Sequence, residues 1–162
     1  MTLKLYKQIH ATQDELQAVA EEILSLGIDV IILSGLVGSG KTALTQALLT
    51  NIKHSSLESS KTDSSAQATS PTFMLMHDYG GVYHYDLYQR TSTEVLQLGL
   101  LDWLSESGVH CIEWGEELLP LLLDSGFACM LVKILVTKQS DRIYEIYAQV
   151  WSLSQETIQY SS

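Results

Sequence analysis

Asp29-Val-Ile-Ile-Leu-Ser34 is followed directly by Gly35-Leu-Val-Gly-Ser-Gly-Lys-Thr42, and the reading of this junction decides the fold. A short apolar run that stops at a glycine predicts a buried strand. The eight residues after it match the G-x-x-x-x-G-K-[ST] phosphate loop, with a strand before and a helix start after. A chance match in a chain of this length is on the order of one per cent at ordinary residue frequencies. Backbone N–H groups of Gly38, Ser39, Gly40 and Lys41 are candidates to cradle phosphates, and Gly35, Gly38 and Gly40 tolerate the positive φ this needs. Lys41 is placed to reach the β- and γ-phosphates. Thr42 offers a hydroxyl to Mg²⁺, and the helix N-terminus favours negative charge.

Working outward, Leu3, Leu5 and Tyr6 suggest a short first strand. Thr12 and Glu15 have capping-box spacing before a helix that presents Leu16, Val19, Ala20, Ile23 and Leu24 on one face and ends at Gly27. After the phosphate loop, a helix from Lys41 to about Ile52 turns Leu44, Ala47 and Leu48 inward. Residues 53–69 are polar, with Leu57 the one large apolar residue, and read as a flexible loop. Two apolar-rich runs, 73–79 and 82–88, meet at Gly80-Gly81, which predicts a hairpin with a primed turn. Thr91 and Glu94 form a second capping box before a helix to about Ser107. Val109 to Glu113 is a short buried strand, and Glu116 to Leu122 a short helix or turn containing Pro120. Alternating segments 129–137 and 142–150 flank the polar turn Lys138–Asp141, a second hairpin. The expectation is one α/β domain over residues 1–155, with a polar tail at 156–162. Its architecture is that of a P-loop NTPase: a mixed central sheet with a parallel core, antiparallel hairpin strands, and helices on both faces.

Composition limits what such a domain does. The chain of 162 residues carries a formal charge of -10. Its basic residues include only two arginines, Arg90 and Arg142, and form no cluster, which argues against a surface that grips nucleic acid directly. Cys111 and Cys129 sit in apolar segments without metal spacing and read as buried thiols of a reducing compartment. There is no signal-peptide core and no 18-residue apolar run, so a cytoplasmic protein without a membrane span is expected.

A magnesium–nucleotide site needs an acid at the end of a buried strand near the loop threonine. Two candidates qualify: Asp86, ending Val82-Tyr-His-Tyr-Asp86, and Glu113, ending Val109-His-Cys-Ile-Glu113. One would hold Mg²⁺ and the other orient the attacking water; the alternative for either is an ordinary strand-end acid contacting a turn. Thr72, in Ser70-Pro-Thr-Phe73, is placed either to sense the γ-phosphate or simply to turn the chain into a strand. His84 shares a sheet face with Asp86 and reads as structural, and Trp114 reads as packing more than as site lining.

Four segments in order carry a resemblance: Gly35 to Thr42, Ser70-Pro-Thr-Phe73, His84-Tyr-Asp-Leu-Tyr88 and Ile112-Glu-Trp114. Together they resemble the bacterial TsaE (YjeE) family, over roughly residues 10 to 145. The resemblance implies a small ATPase that binds ATP with Mg²⁺, hydrolyses it slowly alone, and works with TsaB and TsaD in forming threonylcarbamoyladenosine at tRNA position 37, the tRNA being met through those partners. It implies Lys41, Asp86, Glu113 and Thr72 as the catalytic set and Thr42 with Glu113 as the metal pair. It also implies Val37 to Thr42 as the phosphate grip, with a residue near Thr12 and the hairpin arginine Arg142 toward the nucleotide. The chain departs from the family pattern at Leu36, where Asp is frequent, at Gln89 where Arg is usual, at Gly115 where Pro is usual, and at Ser140-Asp-Arg142 in the last hairpin.

The competing reading is a small-molecule or nucleotide kinase using the same loop. Such enzymes need several Arg and Lys residues around the transferring phosphoryl group, and two arginines are few. A guanine-specific switch would carry Asn-Lys-x-Asp, which is absent.

Overall fold

The computed structural model describes residues 2–55, 75–137 and 140–149. Seven strands form one sheet: β1 (Lys4–Ala11), β2 (Val30–Ser34), β3 (Met76–Asp78), β4 (Val82–Asp86), β5 (Val109–Glu113), β6 (Cys129–Val136) and β7 (Arg142–Ala148), in the spatial order β1-β7-β6-β2-β5-β4-β3. The central pairs β6–β2, β2–β5 and β5–β4 are parallel, and the outer pairs β1–β7, β7–β6 and β4–β3 are antiparallel. The expected mixed sheet with a parallel core is therefore present.

Strand β2 shows why its sequence is apolar without alternation. Ile31 and Leu33 pack with Val19, Ile23, Leu44 and Leu48 of helices α1 (Leu16–Ser25) and α2 (Lys41–Ser55). Val30 and Ile32 point the other way, to Val95 of α3 (Ser92–Gln97), Leu100 and Leu104 of α4 (Leu100–Leu104) and Leu122 of α5 (Leu119–Asp124). A strand covered on both faces has no solvent side to carry polar residues. With helices on both faces of the central strands, their ends are left to meet solvent, and the carboxyl ends of parallel strands are where open α/β sheets place their sites.

Several local expectations shift. The first strand is eight residues long; it lies at the sheet edge, mostly exposed, so its polar residues masked it. Helix α2 continues to Ser55, so the first three residues of the expected 53–69 loop are helical. The rest of that loop, Thr72 and the 156–162 tail lie outside the described residues. The single helix expected from Ser92 to Ser107 is two, broken at Gly99 with φ +98°. The Gly80-Gly81 hairpin forms as expected, with both residues at positive φ (+79° and +87°), the signature of a type I′ turn. Cys111 and Cys129 are buried free thiols, and burial pushes both up to about 12. Among the described residues, no helix is long and apolar enough to cross a membrane.

Candidate active site

The loop from Gly35 to Gly40 connects the carboxyl end of β2 to the first turn of α2. Gly38 and Gly40 have φ of +77° and +108°, which alternates the backbone into a concave row of N–H groups suited to an anion. A Cβ on Gly35 would lie 2.9 Å from the Ile134 carbonyl oxygen, so the loop is pressed against β6 at its start. Ser39 N–H donates to the Leu36 carbonyl at 3.0 Å and closes the loop on itself.

Strands β4 and β5 end beside this loop, and register makes Asp86 the direct partner of Glu113. The two acids expected from sequence thus lie side by side. They differ in depth. Glu113 is 3% exposed; its carboxylate accepts from the Thr42 hydroxyl at 3.1 and 3.2 Å and lies 2.9 Å from His84 Nε2. Burial pushes its pKa up, but hydrogen bonding and charge from His84, with the Thr42 hydroxyl and the Lys41 charge, outweigh burial and leave it below the usual carboxylate range. Glu113 is held as a carboxylate. Asp86 is exposed, and its Oδ1 accepts from the Tyr88 N–H at 3.1 Å, a local turn that leaves the carboxylate facing the cleft.

Lys41 is buried, and its Nζ donates to the carbonyls of Gly35 (2.7 Å) and Leu36 (3.1 Å) while lying 3.8 Å from the centre of the Trp114 ring. Burial holds its ammonium below the usual lysine range, with Glu113, Glu116 and Asp86 pulling it back up. A phosphate would supply a stronger, charged acceptor than these carbonyls. Trp114 has φ +63°, an uncommon conformation for an aromatic residue, and it does more than pack: it lies against the core and also flanks the lysine.

These groups share one cleft of about 360 Å³, bordered by Val37, Lys41, Thr42, Asp86, Glu113 and Trp114. A second, of about 220 Å³, lies on the opposite flank of the loop, where Gln13, Leu16, Ser39, Arg142 and Tyr144 meet. Thr12 commits its N–H and hydroxyl to the Glu15 carboxylate at 2.8 and 3.1 Å, which opens the turn that carries Gln13 and Leu16. Arg142 reaches the loop backbone: its Nε donates to the Ser39 carbonyl at 2.8 Å.

The donor set suits Mg²⁺. Among the described residues, no three or more His, Cys, Asp or Glu side chains gather as a metal cage. Mg²⁺ needs none: it keeps waters and takes one or two protein oxygens plus phosphate oxygens, and Thr42 with Glu113 supplies such a pair. Reading the sequence missed the part played by His84. The signal was there, since His84 and Asp86 share a face and Glu113 lies on the neighbouring strand, but strand order is not visible in a sequence.

Residues 9–144 match the family model for Threonylcarbamoyl adenosine biosynthesis protein TsaE. The tRNA threonylcarbamoyladenosine biosynthesis protein TsaE of Haemophilus influenzae is 31% identical over 106 residues, 60% of this chain and 61% of that protein. The protein of the same description from Aquifex aeolicus is 31% identical over 121 residues, 70% of this chain and 80% of that one. The matched region thus spans less than two thirds of the Haemophilus relative. The crystal structure of Bacillus subtilus YdiB has the same fold, with a TM-score of 0.60 at 19% identity, covering 91% of this chain and 88% of that one. The family model takes in the phosphate loop, Asp86, Glu113 and Arg142 together, and with it most of the sequence: the chain belongs to the TsaE family.

Proposed function

We propose that this chain is a Mg²⁺-dependent ATPase, slow alone and dependent on partners, that supports formation of threonylcarbamoyladenosine in tRNA together with TsaB and TsaD. The observation that carries the reading is the Thr42–Glu113 hydrogen bond at 3.1 Å, made beside Lys41 and Asp86 at the mouth of a phosphate loop. A buried acid kept ionised, touching the loop hydroxyl, is what a magnesium–triphosphate site asks of a protein.

In this reading the N–H groups of Val37, Gly38, Gly40 and Lys41 bind the phosphates, and Lys41 exchanges its carbonyl partners for β- and γ-phosphate oxygens. Thr42 and Glu113 would hold Mg²⁺, which when bound would neutralise the charge developing on the phosphates. Asp86, exposed in the same cleft, is free to orient a water in line with the γ-phosphate. Thr72 would sense the γ-phosphate. The nucleoside would extend over the loop toward Gln13 and Tyr144. A net charge of -10 favours meeting tRNA through partner proteins, and buried free thiols fit the cytoplasm.

ATP hydrolysis measured for the chain alone, then with TsaB and TsaD added, tests this. Slow turnover that changes with the partners supports it. Failure to bind nucleotide, or phosphate passed to an acceptor other than water, overturns it.

A further inference from the structure

We infer that Arg142 is a positioning residue that sets the phosphate loop from behind, through the Ser39 carbonyl. The inference rests on the nucleotide-binding reading above. It differs from a role in touching the nucleotide: the contacts that carry it run from Nε and Nη1 to backbone carbonyls.

Three contacts place it. Arg142 Nε donates to the Ser39 carbonyl at 2.8 Å, and Nη1 donates to the carbonyls of Ser140 (2.9 Å) and Asp141 (3.2 Å). Ser140 takes φ +69°, a left-handed conformation that is uncommon outside glycine, where its carbonyl reaches the guanidinium. The turn before β7 is therefore shaped to fix the arginine head, and the head fixes the loop. A planar guanidinium with donors at fixed angles suits this; a point-charge ammonium does not reproduce it.

The consequence follows from peptide geometry. In a trans peptide the C=O and the following N–H point in opposite directions. Turning the Ser39 carbonyl toward Arg142 turns the Gly40 N–H away from it, toward the side where phosphates would lie. Gly40 at φ +108° has no Cβ to restrict this peptide, and the Arg142 bond adds a hold on it from outside the loop. The other brace is on the same hairpin: Gly35 is pressed against the Ile134 carbonyl of β6. Gly35 and Ser39 thus both bear on the β6–β7 hairpin, which lies outside the strand–loop–helix unit that the motif describes. Ser39 itself is 1% exposed, so the peptide being held is inside the fold.

The test separates an effect through the loop from contact with the nucleoside. Binding of Mg²⁺–tripolyphosphate, which has no base or ribose, and of Mg²⁺–ATP is measured by calorimetry for the wild type, Arg142→Gln and Arg142→Lys. Titrations run at about 0.5 M salt, where long-range attraction by a lost charge is largely screened. Loss of one charge-assisted hydrogen bond predicts about a tenfold weakening. Both ligands should weaken by the same factor in Arg142→Gln, and Arg142→Lys should not restore them. In a ¹⁵N–¹H spectrum the Gly40 amide should move in both variants while amides of β2 stay in place, which also reports that the variants fold. An unchanged tripolyphosphate affinity, with ATP alone weakened, would assign Arg142 to the nucleoside and overturn the inference. So would full rescue by lysine, or a Gly40 amide that does not move. A wild-type chain that binds neither ligand would overturn the nucleotide reading itself, and the inference with it.

Discussion

Two buried histidines lie on neighbouring strands, and their surroundings separate the candidate site from the part of the molecule that holds it together. His84 of β4 lies on the face covered by α1 and α2 and meets a carboxylate, Glu113, at 2.9 Å. His110 of β5 lies on the other face, 1% exposed, stacked on Tyr83 with ring centres 4.7 Å apart. Its Nε2–H donates to the Glu106 carbonyl at 2.9 Å, which leaves Nδ1 as the acceptor for the Tyr85 hydroxyl at 2.9 Å. One imidazole serves a charge that faces the cleft. The other closes a neutral network and is satisfied at both nitrogens. Substitutions around His84 should change turnover, and substitutions around His110 should change stability.

The largest effect is expected at Glu113. Glu113→Gln keeps the volume and a hydrogen-bond partner for Thr42 but removes the charge. Mg²⁺-dependent ATP turnover should fall by about a hundredfold or more, the scale for losing a preorganised charge in a site, with the fold kept. A variant that merely unfolds would return Glu113 to the role of an ordinary strand-end acid. The next effect is at His84. His84→Ala should cost about tenfold in turnover or in Mn²⁺ affinity, as the loss of a residue that orients a metal ligand does. His84→Gln, whose amide nitrogen replaces Nε2, should recover part of it. Equal losses in Ala and Gln, with a lowered melting temperature, would make His84 a packing residue and erase the contrast.

At the other histidine the readouts should exchange. His110→Phe fills the space but leaves the Tyr85 hydroxyl, on a fully buried residue, without its acceptor. That should cost about 1–3 kcal/mol of stability, measured by urea unfolding, with ATP turnover per folded molecule unchanged. A fall in turnover without loss of stability would mean that the two faces of the sheet are coupled.

How much of this was legible follows from the range of each determinant. The phosphate loop is local, eight residues whose backbone needs are met by their own glycines, so its place after β2 could be read directly. Asp86 and Glu113 were legible as strand-end acids because an apolar run with an acid at its end is also local. Their adjacency was not, since it depends on β5 lying between β2 and β4, which pairing decides and periodicity does not record. Arg142 lies 103 residues from Ser39 in sequence, and its grip on that carbonyl exists only because β6 crosses over to lie beside β2. The length of β1 was hidden for a different reason: an exposed edge strand has no apolar face to betray it. The break at Gly99 was visible as a glycine, but α3 and α4 carry apolar residues on both sides of it, and periodicity ran through.

The smallest effect concerns pH, and it isolates His110 from the site. Burial is the main cause that holds this ring below its ordinary value of 6.5, although the bond to the Glu106 carbonyl and the charges of Asp29 and Glu106 pull the other way. The folded protein therefore takes up its proton at lower pH than the unfolded chain does. Between those two values the unfolded state binds more protons, so stability rises with pH and is lost on acidification. The loss begins near pH 6.5 and levels off once pH passes below the folded value. One such group contributes a slope of at most about 1.4 kcal/mol per pH unit. Urea unfolding of the wild type and His110→Phe from pH 7.5 to 5 should show the wild type losing stability more steeply below pH 6.5, with the gap between the two narrowing as pH falls. Parallel curves would mean that the network accepts the proton without breaking, and that its geometry rather than its neutrality holds this end of the sheet.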